Sequence, residues 1–326
     1  MRKFTAIITT VMLVLLTVLS PAFAQSEAST LLESLESIEM NLYGEQLPGA
    51  IVDRLEQIEQ DVFGQVDTGS IVDRINRIRS AAGGAIGAKV SVAYKLASVE
   101  WFLKRRVATE PVMTKLEKLE TLVLGQPGTG SMSSRVDYLL AVCLPDGTLK
   151  TEDVTVKGGQ PVLIKLLKKL DSSSTQKGQR VEIEVARDVL IQSQLVIPKG
   201  AKTFGVVTDV SPAGRLGRDG KITLELQGIK ALDGTVVPLV FDEKTKELNE
   251  SLQWAIGAGL AGFIVFGPVG ALGAVFVQGK DAVIPEGAEF YVAVGSDVRV
   301  HGMTLPVDTV VEITKDMPLV EIKPGK

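Results

Sequence analysis

The chain has 326 residues, 45% of them apolar and 23% charged, with a formal net charge of −4 and a single Cys and a single His. This apolar content excludes a wholly disordered chain, and one His with one Cys excludes a metal cluster built on those ligands. The acidic balance offers no global field for nucleic acid, and with no internal disulfide possible the folded chain must rely on its core.

Arg2 and Lys3 precede an uncharged, mostly apolar run from Phe4 to Leu19; Ser20-Pro21 breaks it, and Ala22-Phe23-Ala24 places small residues before Gln25. This is the layout of a secretory signal peptide over residues 1–24, with an uncleaved anchor as the alternative. Export is therefore expected.

Residues 25–145 repeat. Leu31, Leu35, Ile38 and Leu42 are spaced four, three, four; Ile51, Leu55, Ile58 and Val62 follow the same spacing twenty residues on, and Ile71, Ile75 and Ile78 begin it again. Val112, Leu116, Leu119, Val123 and Met132, Val136, Leu139, Cys143 are further copies. Each is an apolar stripe on a helix. The connections Gly44–Gly49, Gly64–Gly69 and Gly125–Gly130 each hold four residues between glycines. The first glycine suits a left-handed helix stop, and Ser70 and Ser131 are candidate caps. These units read as helical hairpins, their stripes serving either intramolecular packing or a short coiled-coil contact between copies of the chain, hence a homo-oligomer. The spacing resembles a phosphate-binding loop but lacks the following Lys-Ser/Thr and a preceding strand, so no nucleotide is expected. Between the hairpins, Val90 to Arg106 reads as another helix ending in Lys104-Arg105-Arg106, either dipole complementation or contact with an anionic lipid surface or wall polymer. Cys143, on the last stripe, reads as a buried, inert thiol.

From Pro145-Asp-Gly147 the texture turns to strands, residues 146–326 forming a second domain. Val162 to Leu167 is apolar and Val181 to Val185 alternates with period two. Val196-Ile-Pro-Lys-Gly and Val283-Ile-Pro-Glu-Gly are two copies of one tight turn, each leading into a strand. Lys221 to Leu226, Thr235 to Leu239, Val298 to Val300 and Val307 to Ile313 add further strands. The fold class expected is α+β: helical hairpin repeats, then a small β-barrel or sandwich.

Residues 160–300 resemble a β domain found in many bacterial exported envelope proteins, through Leu170-Asp-Ser-Ser, Val196-Ile-Pro-Lys-Gly, Gly214-Arg-Leu-Gly-Arg-Asp-Gly220, Leu232-Asp-Gly234 and Val283-Ile-Pro-Glu-Gly. More distantly they are similar to the β domain of the scaffold of conjugation and type IV secretion systems that reaches the outer membrane. There too, an Ile-Pro-x-Gly turn precedes a strand and a helical hairpin is inserted between strands. The chain departs from that scaffold in lacking its proline-rich arm and inner-membrane span. The helical repeats resemble short repeats in envelope proteins of diderm Firmicutes. The resemblance implies a place in the periplasm or at the outer membrane.

The stretch Trp254 to Val277 is 24 residues without a charged side chain. It carries Gly257, Gly259, Gly262, Gly267, Gly270 and Gly273, with Pro268 near its middle. A continuous helix of that length would span about 36 Å, enough to cross a hydrocarbon core. Gly267-Pro268 instead suggests two short helices in a hairpin. Three readings stand: a hairpin packed on its own β domain, a membrane-inserted or oligomeric glycine-zipper hairpin, and a single regular span.

His301 reads as a hydrogen-bonded structural residue at a strand end, and Arg215 and Arg218 as loop cations that could contact an anion. No residue is nominated as catalytic, and no cofactor or metal is expected. The function this composition favours is a non-enzymatic exported envelope protein, a scaffold with possible membrane docking through the glycine-rich hairpin and envelope proteins as partners. The alternatives are an oligomeric membrane channel or secretion-apparatus component, and a soluble periplasmic ligand- or wall-binding module.

Overall fold

The computed structural model describes residues 31–82, 90–214, 220–242, 245–246, 248–249, 263–266, 273–277 and 281–315. The N-terminal part is six helices: α1 (31–42), α2 (Ile51–Phe63), α3 (Ile71–Ala82), α4 (Val92–Lys104), α5 (Val112–Leu124) and α6 (Met132–Cys143). Their starts recur about every twenty residues, so α4 is a copy of the same repeat and not an interruption of it. The stripes are buried as their spacing demands: Leu35, Ile38 and Leu42 in α1, Leu55, Ile58 and Val62 in α2, Leu116 and Leu119 in α5. Gly64 and Gly125 end α2 and α5 at φ +75° and +83°, a conformation costly to any residue with a Cβ.

Sixteen strands follow among the described residues: β1 (Thr151–Val156), β2 (Pro161–Leu166), β3 (Leu170–Asp171), β4 (Arg180–Val185), β5 (Val189–Ile191), β6 (Gln194–Ile197), β7 (Lys202–Ser211), β8 (Gly220–Leu226), β9 (Ile229–Lys230), β10 (Val236–Val237), β11 (Leu239–Val240), β12 (Phe263–Phe266), β13 (Gly273–Val277), β14 (Val283–Ile284), β15 (Glu289–Val294) and β16 (Val298–Thr304). Helix α7 (Val307–Lys315) closes the described chain. The fold is α+β, helices first and antiparallel sheets after. The largest sheet has the order β11-β15-β2-β4-β7-β8-β13-β12, and a second has β1-β16-β6-β5. Their shared core is mostly aliphatic, with Val181, Ile183 and Val185 from the alternating β4 inside it and the stacked Phe241 and Phe290 as its aromatic members.

The two Ile-Pro-x-Gly turns occupy matching places. Ala201 N–H donates to Pro198 O and Ala288 N–H to Pro285 O, both at 3.2 Å, putting Gly200 and Gly287 third in their turns at φ +88° and +80°. Each turn then brackets the end of a neighbouring strand: Gly200 N–H donates to Val185 O and Val185 N–H to Ala201 O, while Gly287 N–H donates to Leu166 O and Leu166 N–H to Ala288 O. The repeated motif is thus a repeated way of pinning a strand.

Contacts divide the chain into two compact units, Met1–Ala93 with Glu110–Tyr138, and Tyr94–Thr109 with Leu139–Lys326. Most of α4 therefore belongs with the sheets. Trp101 is fully buried there and its Nε1–H donates to both Asp188 oxygens, at 3.1 and 3.0 Å.

Two expectations are corrected. The glycine-rich helical hairpin is not what the described part of that stretch forms: β12 and β13 pair with each other antiparallel, and β13 pairs with β8. The β-branched and aromatic run Phe263-Ile-Val-Phe266 and the closely spaced glycines disfavour helix and favour strand. The segment Val307 to Ile313 is helical rather than a closing strand: Pro306 precedes it, Asp308 lies in its first turn, and Val307, Val310 and Val311 recur at helical spacing. Trp254, Gly257, Gly259, Gly262, Gly267, Pro268, Gly270, Arg215 and Arg218 lie outside the described residues, as do residues 1–30.

Candidate functional site

The charge-free stretch sets the first candidate. β12 is the outermost strand of the eight-stranded sheet and β13 separates it from β8. Every residue of the two strands is apolar or glycine: Phe263-Ile-Val-Phe266 and Gly273-Ala-Val-Phe-Val277. A strand with one face in water normally alternates apolar and polar residues; these do not, a pattern suited to shielding on both faces. Gly273, the one glycine of the stretch that is described, pairs with Phe266 on one side and Leu224 on the other. Among the described residues no strand covers the free edge of β12, and no helix is long and apolar enough to cross a membrane.

The register orients the two strands of this ribbon. Leu224 of β8 lies opposite Val207 of β7 and opposite Gly273 of β13. Phe266 and Gly273, the ends that residues 267–272 join, therefore face the end of the sheet at which β7 begins with Lys202.

That end carries a second candidate. α4 stops at Arg105, which takes the left-handed conformation at φ +52° and lays its guanidinium 4.7 Å from the centre of the Trp101 ring. Val107 N–H donates to Lys199 O at 2.8 Å, drawing the Lys104-Arg105-Arg106 run against the Pro198–Ala201 turn. Lys104, Arg105, Arg106, Lys199 and Lys202 are all exposed. The carboxylates beneath them are not: Glu100, Glu184 and Asp188 are 1%, 7% and 8% exposed. Glu184 is 3.6 Å from Arg106 and 2.6 Å from Lys165. Burial pushes the Asp188 carboxyl up, opposed by the Lys199 N–H at 2.6 Å and the Trp101 indole. The nearest exposed carboxylate along β4 is Glu182.

The helical unit holds a feature that stripe spacing alone missed. Glu39 and Arg54, Glu59 and Arg74, and Glu120 and Arg135 are each fifteen residues apart, and each pair forms a buried two-pronged ion pair. The Nη2–Oε2 distances are 2.5, 2.8 and 2.6 Å. The glutamate also accepts a backbone N–H eight residues on: Asp67 for Glu59 at 3.1 Å and Gly128 for Glu120 at 2.8 Å. Glu100 does the same with Ala108 at 3.1 Å, and fifteen residues after it stands the buried Lys115. Glu59 and Glu120 thus hold both the connecting loop and the start of the next helix, Glu100 holds its loop, and Glu39 holds the next helix through Arg54. Burial alone would push the Glu120 carboxyl up, but the Arg135 guanidinium and the Gly128 N–H outweigh it and hold it below the usual carboxylate range. The signal is in the sequence: Glu directly after the third stripe residue and, in three of the repeats, Arg directly before the second residue of the next stripe.

His301 is held at both ends by β1, with Nδ1 2.7 Å from Asp153 Oδ1 and Nε2 2.7 Å from Thr151 Oγ1. Its own N–H donates to Asp233 Oδ2 at 2.8 Å. The order Thr–His–Asp matches a nucleophile, base and orienting acid, but Asp153 is 69% exposed where an orienting carboxylate is buried. A cavity of about 220 Å³ lined by Phe102, Leu144, Leu149, Lys150, Leu305 and Pro306 is smaller than the roughly 300–1,000 Å³ of ligand pockets. Among the described residues no group of three or more His, Cys, Asp or Glu side chains could hold a metal ion. Cys143 is partly exposed rather than buried, and burial still pushes its thiol up.

No protein-family model and no curated protein matches the chain. Among solved structures it is similar to ComB10 of the Com type IV secretion system of Helicobacter pylori, at 17% identity, over 44% of this chain and 90% of that one, with a TM-score of 0.24. A likeness at that level carries no argument about function.

Proposed function

We propose that this is a non-enzymatic, exported scaffold of the bacterial cell envelope that docks on a membrane through the apolar ribbon at the edge of its largest sheet. The observation that carries the reading is the ribbon itself: two paired strands without a polar residue, within 24 residues that lack any charge. Such a surface is stable only when lipid or protein shields it. The signal-peptide layout of residues 1–24 supports export. The helical repeats, fastened pair by pair, form the part suited to partner contact or assembly.

The test is fractionation of cells producing the chain and a form lacking Trp254–Val277, with carbonate and then detergent washes. The full chain should stay with membranes until detergent is added, and the shortened form should wash off. Equal release of both would end the reading. A second reading, an oligomer joined edge to edge as part of a channel or secretion apparatus, is favoured by the outer edge of β12, which no strand among the described residues covers. Detergent-solubilised ring-shaped particles that depend on β12 would establish it.

A further inference from the structure

We infer that the Lys104-Arg105-Arg106 run, Lys199 and Lys202 form an electrostatic docking surface for an anionic lipid bilayer, set at the end of the sheet that Phe266 and Gly273 of the apolar ribbon face. The inference rests on the membrane-docking reading and adds the chemistry of the surface that is met.

Three features converge. The first is the number of exposed cations: Lys104, Arg105, Arg106, Lys199 and Lys202 are exposed over the buried Glu100, Glu184 and Asp188, with Lys104 3.5 Å from Glu100 and Arg106 3.6 Å from Glu184, and Glu182 and Glu225 are the exposed carboxylates on the adjoining strand positions. Five exposed cations within one helix end, one tight turn and the start of β7 concentrate positive side chains locally in a chain whose net charge is −4. The second is fixation. Arg105 is locked over Trp101, whose indole is locked on Asp188, and Asp188 in turn accepts the backbone N–H of Lys199. The helix end and the turn are therefore one braced platform, and little ordering entropy remains to be lost on docking.

The third feature selects the partner. The cations sit on a helix end, a turn and the first residue of β7, with Leu103 40% exposed among them. The register directs Phe266 and Gly273 to the same end as Lys202. A bilayer with anionic headgroups meets both chemistries in one encounter, headgroup phosphates for the cations and acyl chains for the apolar strands. A soluble anionic polymer would use only the first.

The test is sedimentation of the purified full chain with phosphatidylglycerol-rich and with pure phosphatidylcholine vesicles. The original chain is compared with the triple variant Arg106→Gln, Lys199→Gln, Lys202→Gln and with Ile264→Asp, Val275→Asp. Arg105 is left in place because it braces Trp101. Partitioning to anionic vesicles should fall about fivefold per cation removed, thus about a hundredfold for the triple variant, and should fall with added salt. Phosphatidylcholine vesicles should bind the original chain only weakly. An unchanged far-UV spectrum shows that the triple variant is folded.

If the triple variant binds anionic vesicles as the original does while Ile264→Asp, Val275→Asp does not, this inference falls and the ribbon reading stands. If the original binds neither vesicle type, both fall. Binding of polyphosphate without binding of vesicles also overturns the inference, assigning the cations to a soluble polymer.

Discussion

The helical repeats and the edge ribbon treat polarity in opposite ways. In three helical connections a buried glutamate is met by an arginine, and two of the three, Glu59 and Glu120, also accept a loop N–H. The ribbon has no charge to pair and, among the described residues, nothing over its outer edge. A region whose polar groups are all answered internally is complete as it stands. A region with only apolar groups and an uncovered edge asks for something outside itself.

The most severe way to break this contrast is to unpair a buried charge. Arg74→Ala leaves Glu59 with no exposure and no guanidinium, and should cost roughly 3–5 kcal/mol by chemical denaturation. Replacing both partners, Glu59→Met with Arg74→Met, should recover most of that loss, because two matched apolar side chains leave no orphan charge. If the double variant is as unstable as the single one, the pair fixes the repeat in some way other than charge satisfaction.

A comparable loss is expected in the sheet unit from Trp101→Ala, which empties a fully buried site and orphans Asp188: about 3–5 kcal/mol by thermal or denaturant unfolding. A smaller effect, about 1–3 kcal/mol, follows for Gly200→Ala. An added Cβ would lie 2.7 Å from Val107 O, and φ +88° is strained for alanine. The same change at Gly287, also at positive φ but with open space around it, should cost less, which separates backbone strain from steric overlap.

The smallest effect is in pH, and its sign differs between the regions. The Glu120 carboxyl is held below its ordinary value, so its contribution is present above the unfolded carboxylate pKa and is lost as pH falls through the lower folded value. The Asp188 carboxyl is pushed up, so the folded state binds its proton more tightly and stability declines as pH rises through the window between its unfolded and folded values. Glu120→Gln should flatten the acid side of the stability curve, and Asp188→Asn should remove the opposing slope. Denaturant midpoints measured across the acidic range test both.

The contrast also explains what could be read from the residues alone. Helix stripes are local: Leu35, Ile38 and Leu42 announce their helix whatever surrounds them, and the glycine stops fall where expected. The turn glycines Gly200 and Gly287 were legible for the same reason. The Glu–Arg pairs were legible only as a spacing of fifteen, which a search for apolar periodicity passes over. β1 went unseen because Thr151-Glu-Asp-Val-Thr-Val lacks an apolar run and gains its place only by pairing with β16, about 150 residues away. Length and lack of charge in Trp254–Val277 suit a helix, and the strand character of Phe263-Ile-Val-Phe266 depends on β13 and β8 being there to pair. Residues 163–166, 181–185 and 289–294 were legible as strands, but which strand neighbours which is a long-range property that no local pattern carries.

The central claim, that the β12–β13 ribbon enters lipid, is tested most directly by a polarity-sensitive dye on Val265→Cys in a Cys143→Ser chain. On mixing with anionic vesicles the emission should shift to the blue, and quenchers attached to the lipid acyl chains should reduce it. Emission that neither shifts nor responds to those quenchers, while the chain sediments with the vesicles, would contradict the claim.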